Sequence, residues 1–156
     1  MADSVHEPTR LEKVEVEDLA LHADARGWLM ELCHGPGIAY VYATMCYPGV
    51  VKGWHRHARH TDRLACVQGA ARIVTATGQK ALWDGTPNGR WDVEEHVCGP
   101  AAPNLVKIPP GVWHAFTPAG PEPCVIVNCP DEPWDPGDEE RLALDAIPWN
   151  WREVSR

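Results

Sequence analysis

The sequence lacks a long apolar run, and no segment approaches the roughly 20 residues that a membrane-spanning helix needs. Its polar, acidic start, MADSVHEPTRLEK, has no apolar segment of the signal-peptide type, so a cytoplasmic location is expected. Positive charge is scarce, with 14 lysines and arginines against 22 acidic residues and a net charge of −8. This balance argues against nucleic-acid binding. We expect neither a nucleic-acid nor a membrane partner.

The six cysteines contain no C-x-x-C pair, which argues against a zinc ribbon or a thioredoxin-type motif. In the cytoplasm they are expected to be reduced thiols. The 15 prolines and 13 glycines predict many turns and disfavour long helices. A chain of 156 residues has the length of one domain. We expect residues 1–20 to form an arm or edge strand and residues 21–156 to form that domain.

Short apolar or alternating runs, separated by turn signals rich in glycine and proline, predict an all-β barrel or sandwich. The runs cover residues 28–33, 38–47, 63–76, 80–84, 104–110 and 124–129. One stretch, PGDEERLALDA at 136–146, has a helix-like acidic first turn, although its leucine spacing is weak for an amphipathic helix.

Histidines are concentrated in GVVKGWHRHARH, which places His55, His57 and His60 within six positions. In a strand, His55 and His57 point to the same side because side chains alternate with period 2. A turn after His57 would return Asp62 to that face from the next strand. The later segment PPGVWHAF places His114 after a second tight turn. These residues predict a site, whereas His60 is expected to have a plain loop role.

The two segments resemble the signature motifs of the cupin superfamily, G-x5-H-x-H-x3,4-E-x6-G and G-x5-P-x-G-x2-H-x3-N. Asp62 stands in place of the glutamate of the first motif. In the second, Pro103 and Pro118 replace the first glycine and the final asparagine, while the core P-x-G-x-x-H is intact. The resemblance implies a single-domain cupin, an antiparallel β-barrel of the jelly-roll kind.

Four ordered segments sharpen the resemblance to the RmlC-like cupins, the family of dTDP-4-dehydrorhamnose 3,5-epimerases. They are DARGWLMEL (24–32), GVVKGWH (49–55), IPPGVWHAF (108–116) and EERLALDAIPWNW (139–151). The last is similar to the ending of a shorter branch of the group. This resemblance implies an isomerase that acts on a nucleotide-linked 4-keto-6-deoxy sugar without a cofactor, as a homodimer.

By position in this family, His55 matches the catalytic base, and Asp145 is a candidate carboxylate partner for its imidazole. His114 matches the second active-site histidine. Arg26 and Glu31 match residues that bind the nucleotide, often from a neighbouring subunit. Lys52 stands where the family has an arginine that contacts the diphosphate. Its charge adds to that of nearby arginines, among them Arg63.

The sequence departs from the epimerases at three positions. Asp62 replaces an active-site lysine, and Asn128 replaces the tyrosine that returns the proton, so Asn128 is expected only to bind substrate. His57 replaces a tyrosine or phenylalanine and is a candidate second acid or base. Tyr40 and Tyr42 share one face of a strand and are candidates to line the pocket or supply a substitute acid. Single-carbon epimerisation, ketoisomerisation and loss of activity therefore remain open in place of full 3,5-epimerisation.

The same departures favour a metal. His55, His57, Asp62 and His114 form a set of three imidazoles and one carboxylate, the type that holds Fe(II), Mn(II), Ni(II) or Zn(II) in metallo-cupins. The alternative function is therefore a metal-dependent enzyme acting on a small molecule. A non-catalytic sugar-binding cupin is the third class.

Overall fold

A computed structural model describes residues 12–25, 27–33, 36–78 and 91–152, except for the side chains of residues 27–29. Arg26 and the run predicted at 80–84 lie outside the described residues. Twelve strands occur in the described part of the chain. They are β1 Glu15–Asp18, β2 Leu21–Asp24, β3 Gly27–Met30, β4 Tyr42–Cys46, β5 Lys52–His57, β6 Asp62–Gln68, β7 Ala71–Gly78, β8 Trp91–Cys98, β9 Asn104–Ile108, β10 Trp113–Pro118, β11 Cys124–Asn128 and β12 Glu139–Arg141.

Ten of these strands form two antiparallel five-stranded sheets, ordered β1-β9-β6-β11-β4 and β12-β5-β10-β7-β8, while β2 pairs with β3. Apolar side chains from both large sheets meet in one core, for example Leu64 and Ile126 of the first with Ile73 and Phe116 of the second. The sheets therefore pack face to face as a jelly roll, which confirms the predicted all-β cupin fold.

Alternation along β5 and β10 separates a second apolar cluster from the histidines. Trp54 and Trp113 lie on the outer face of their sheet, where Ile147 of the C-terminal segment covers them. Trp54 is fully buried there, and its ring contacts that of Trp151. Since successive side chains point to opposite faces, His55 and His114 point inward. The burial of the tryptophans thus fixes the register that aims the imidazoles into the fold.

The helix-like expectation for residues 136–146 is wrong. The segment consists of the 3-10 turn Pro136–Asp138, strand β12 and the 3-10 turn Leu144–Ala146. Pairing with β5 provides backbone hydrogen bonds that a helix would have supplied internally. Leu144 is exposed, so no apolar helical stripe forms. In the described part of the chain, no helix has the length and apolar character required to cross a membrane.

Replacing Gly53 with alanine is expected to lower the free energy of unfolding by about 3 kcal/mol. Gly53 has a φ of +140°, and a Cβ at this position would overlap the Ala115 side chain and lie 2.6 Å from Ala115 Cα. The added methyl group would push β5 away from β10. Chemical denaturation measures the loss.

The matched control is Gly120→Ala, because a Cβ there would meet nothing within 4 Å. We expect this variant to stay within about 0.5 kcal/mol of the wild type. Equal stability of the two variants would show that the close contact between β5 and β10 does not exclude a side chain at position 53.

Candidate active site

Three imidazoles lie together on the inner face of the second sheet. Strands β5 and β10 pair antiparallel with His55 directly opposite His114, and the centroids of these two rings are 4.1 Å apart. The His57 ring lies two residues along β5, 5.4 Å from the His55 ring. The strand pairing therefore brings together the three histidines that the sequence singled out.

A buried carboxylate from the opposite sheet faces these rings. Asp62 begins β6 and is 2% exposed. Its Oδ1 accepts a hydrogen bond of 2.7 Å from Asn128 Nδ2 and lies 3.2 Å from His60 Nε2. Its Oδ2 lies 3.0 Å from His114 Nε2, close but not aligned as a hydrogen bond. Asp62 thus links the two sheets at the imidazole cluster.

Asp62 keeps its negative charge in this buried position. Burial raises the pKa of the carboxyl, but the contacts with His114, His60 and Asn128 lower it by more, so the pKa lies well below its usual range. The carboxylate is therefore charged at neutral pH and attracts protons, cations and N–H donors.

His55 is an unprotonated imidazole at neutral pH. Burial, followed by the neighbouring His114, lowers the pKa of His55 to about 2, although the Asp62 charge opposes this shift. The neutral ring therefore carries one proton, and its other nitrogen has a lone pair that can accept a proton from a bound molecule. This is the protonation state that a general base requires.

His55 opens into a cavity of about 460 Å³ between the sheets. The lining includes Tyr42, Lys52, His114, Asn128 and Arg141. The cavity therefore combines a base, a phenol, an amide and two cationic side chains with the carboxylates of Asp62 and Glu139, which suits a polar small molecule.

Tyr42 supplies a hydroxyl beside the position where the family tyrosine is replaced. In the pairing of β11 with β4, Asn128 lies directly opposite Tyr42, and Asn128 Nδ2 donates a hydrogen bond of 3.0 Å to the Tyr42 hydroxyl. The Tyr40 ring stacks on Tyr42 with centroids 5.5 Å apart. Partial burial raises the pKa of Tyr42 to about 12. The neutral phenol can donate a proton, which Asn128 cannot.

The remaining predicted site residues have different positions. Lys52 lines the His55 cavity, and its Nζ donates a hydrogen bond of 2.6 Å to Thr44 Oγ1. Arg63 and Glu31 line a second cavity of about 390 Å³ instead. Asp145 is exposed in the 3-10 turn Leu144–Ala146, and in the described part of the chain no hydrogen bond or ion pair joins it to His55. Asp62 is the carboxylate that acts on His55 electrostatically.

Sequence reasoning missed the contribution of β12. This strand pairs with β5 so that Arg141 lies opposite His55 and Glu139 opposite His57, and both line the cavity. The charged segment DEER carries no apolar periodicity, so no local signal indicated a strand. His60 lies in the loop between β5 and β6, but its side chain is 3% exposed and its ring stacks on that of His57.

The cluster also satisfies the first requirement of a cation site. His55, His57, Asp62 and His114 each offer one ligand atom, and these atoms all lie within 4.8 Å of one another. Three imidazole nitrogens and one carboxylate oxygen are suitable ligands for a divalent transition metal. The geometry therefore fits both an acid–base site and a metal site.

The fold and the inward-facing imidazole–carboxylate cluster define the class, an RmlC-like cupin. The family of polysaccharide biosynthesis C-terminal domains matches residues 22–141. The chain belongs to this family of RmlC-like cupins.

Individual relatives agree with this assignment. The Haloferax volcanii protein described as "Probable low-salt glycan biosynthesis epimerase Agl13" is 33% identical over 141 residues, which cover 85% of this chain and 87% of that protein. The spore coat polysaccharide biosynthesis protein SpsL of Bacillus subtilis is 29% identical over 159 residues, 94% of this chain and 99% of that protein. A crystal structure of a dTDP sugar isomerase from Desulfovibrio desulfuricans shares 27% identity with a TM-score of 0.78, covering 90% of this chain and 92% of that one.

Proposed function

We propose that the protein is an epimerase or isomerase that acts on a nucleotide-linked 4-keto-6-deoxy sugar, with His55 as the base. The observation that carries this proposal is the position of the His55 imidazole in a cavity that also holds the Tyr42 phenol. The relatives support it, since they are described as a glycan biosynthesis epimerase and a dTDP sugar isomerase.

The proposed reaction consists of two proton transfers. The 4-keto group acidifies the adjacent C–H bond, and His55 removes that proton while the bond electrons form an enolate. Tyr42 then donates its phenolic proton to the carbon from the other face, which inverts the centre. The His55 imidazolium afterwards releases its proton to solvent and the tyrosinate regains one, so both groups are restored and no oxidant or reductant is consumed. His57 is the alternative acid, because its ring lies 5.4 Å from that of His55.

Two cationic side chains support the charged groups of this substrate. Lys52 and Arg141 line the cavity, and Arg141 lies opposite His55 in the strand register. We assign the diphosphate to Lys52 and the enolate oxygen to Arg141, since Asp62 in place of a lysine would repel an oxyanion. His114 lies between His55 and Asp62 and positions the base.

The proposed assembly is a homodimer in which a neighbouring subunit contributes nucleotide contacts. In a single chain Glu31 lines the second cavity rather than the one at His55. Strand β4 is the last strand of its sheet in the described part of the chain, and it exposes Met45, followed by the exposed Tyr47. Sedimentation equilibrium tests the dimer.

We place the enzyme in the cytoplasm, which the six free cysteines support.

The test of this function is solvent isotope exchange. Incubation with a dTDP-4-keto-6-deoxy sugar in D2O is expected to place deuterium at C3 or C5, because proton removal by His55 exposes the enolate to deuterated acids. Mass spectrometry counts the incorporated deuterium, and NMR locates it and identifies the epimer. Binding of the sugar nucleotide without any exchange would instead favour a sugar-binding module.

The second candidate is a metal-dependent reaction at the same cavity, favoured by the four ligand atoms within 4.8 Å of one another. In that case the metal would act as a Lewis acid, and His55, His57, Asp62 and His114 would hold it. Exchange that survives removal of metal by a chelator supports the metal-free mechanism. Exchange that stops, and returns on addition of one equivalent of metal, supports the second candidate.

A further inference from the structure

Behind the His57 ring, three buried polar atoms face one another without a hydrogen-bond partner. They are His57 Nδ1, His60 Nδ1 and Asp138 Oδ2. Their residues are 7%, 3% and 2% exposed, respectively. Asp138 Oδ2 lies 3.3 Å from His60 Nδ1 and 3.9 Å from His57 Nδ1. An unpaired carboxylate oxygen in such a dry position is costly, so this group of atoms requires a positive partner.

The opposite nitrogens of the same two rings face Asp62. His60 Nε2 lies 3.2 Å from Asp62 Oδ1, and His57 Nε2 lies 3.6 Å from Asp62 Oδ2. With Asp62 as the acceptor, each of the two rings can hold its proton on Nε2. Both Nδ1 atoms then keep a lone pair on the side of the ring where Asp138 lies. Metal-binding histidines characteristically have this arrangement, with the far N–H held by a carboxylate.

Asp138 is arranged as a monodentate ligand. Its Oδ1 accepts a hydrogen bond of 3.1 Å from the backbone N–H of Ala58 and lies 3.7 Å from Arg59 Nη1. These contacts fix the carboxylate plane and leave Oδ2 directed at the two imidazoles. Thus one oxygen has protein partners, and the other is available for a cation.

We propose that His57 Nδ1, His60 Nδ1 and Asp138 Oδ2 bind one divalent transition-metal ion of the Zn²⁺ type. Tetrahedral ligands at the usual Zn–N and Zn–O lengths lie ~3.4 Å apart. The separations of 3.3 and 3.9 Å are close to that value, and all three ligand atoms lie within 4.8 Å of one another.

This site differs from the four-residue set in the active-site cavity. It shares the His57 ring but uses Nδ1, whereas Nε2 is the nitrogen that faces Asp62, and it includes neither His55 nor His114. The ion would join the segment after β5 to the turn Pro136–Asp138 and hold His57 with Nε2 directed at Asp62. The proposal stands independently of the isomerase activity.

The test measures metal binding rather than turnover. Protein purified without an affinity tag is stripped with a chelator and titrated with Zn²⁺ against a competing dye, and bound metal is counted by mass spectrometry. We expect one tightly held equivalent in the wild type. Asp138→Asn and His60→Gln are each expected to raise the Kd for Zn²⁺ at least about tenfold, because each removes or neutralises a ligand.

Two control variants locate the metal. His22→Asn removes an exposed histidine, and His55→Asn removes an imidazole of the active-site cluster; both are expected to retain the metal. Loss of the ion in His55→Asn, with retention in His60→Gln, would place it in the active-site cluster and overturn the proposal. A wild-type protein that binds no Zn²⁺ would overturn the proposal as well. A proton shared by His57 Nδ1, His60 Nδ1 and Asp138 Oδ2 would then take the place of the metal ion.

A second measurement covers the case in which the variants fold poorly. Zn²⁺ at saturating concentration is expected to raise the Tm of the stripped wild-type protein, because the ion binds only the folded arrangement of ligands. An unchanged Tm across the titration would contradict the proposal without reference to any variant.

Discussion

Replacing His55 with asparagine is expected to lower kcat for solvent exchange about 10³-fold while leaving substrate affinity within a few-fold. Asparagine keeps a polar side chain in the cavity but has no basic lone pair at neutral pH. The wild-type imidazole is unprotonated, since burial and His114 lower its pKa to about 2. Deuterium incorporation measured by mass spectrometry at saturating substrate gives kcat, and the concentration dependence gives KM.

The neighbouring imidazole provides the decisive comparison. His57→Asn changes a histidine on the same strand whose ring is 5.4 Å from that of His55. If His55 is the base, His57→Asn retains proton removal, whereas His55→Asn loses it. The reverse result would assign the base to His57 and refute the mechanism. Circular dichroism of both variants shows whether the fold has been retained.

Local sequence pattern was sufficient to place the imidazoles. The spacing of His55 and His57 predicts two histidines on one side of a strand, and P-x-G-x-x-H predicts a turn followed by His114. Both predictions depend on interactions within a few residues, where period and turn chemistry are informative. The structure adds that His55 and His114 are direct partners across the strand pair.

Local sequence patterns could not predict which residues reach the site from strands far away in the sequence. Tyr42 reaches Asn128 because β4 pairs with β11, which are far apart in the chain, and Arg141 reaches His55 through β12. Nothing in either local segment specifies that register. The carboxylate shows the same limit. The resemblance made Asp145 of the C-terminal segment a candidate partner of His55, whereas the fold places Asp62 at the cluster and leaves Asp145 exposed. The predicted role of Asp145 stays a prediction.

The pairing of β4 with β11 places a hydroxyl next to the position of the missing family tyrosine. Asn128 occupies the position of the tyrosine acid, yet its side chain donates to the Tyr42 hydroxyl and to Asp62. The amide thus holds a phenol from the adjacent strand beside the cavity. In the proposed mechanism the proton donor therefore comes from β4, the strand that pairs with the strand of Asn128.

Replacing Tyr42 with phenylalanine is expected to lower epimer formation about 10²-fold or more while leaving much of the deuterium exchange intact. His55 still removes the substrate proton in this variant and exchanges it with solvent. It can return a deuteron only to the face from which the proton left, so exchange continues without inversion. The ratio of epimer formed to deuterium incorporated, followed by NMR in one reaction, should therefore fall sharply.

Tyr40→Phe is the matched control, because Tyr40 stacks on Tyr42 and also borders the space beside His55. It removes a hydroxyl of the same kind and should leave the ratio unchanged. If Tyr40→Phe lowers the ratio and Tyr42→Phe does not, the acid is Tyr40. If neither does so and His57→Asn does, the second proton comes from the imidazole. If the ratio falls only in Tyr42→Phe, the acid is Tyr42. Its phenol has a pKa raised to about 12, and its hydroxyl accepts a hydrogen bond from Asn128.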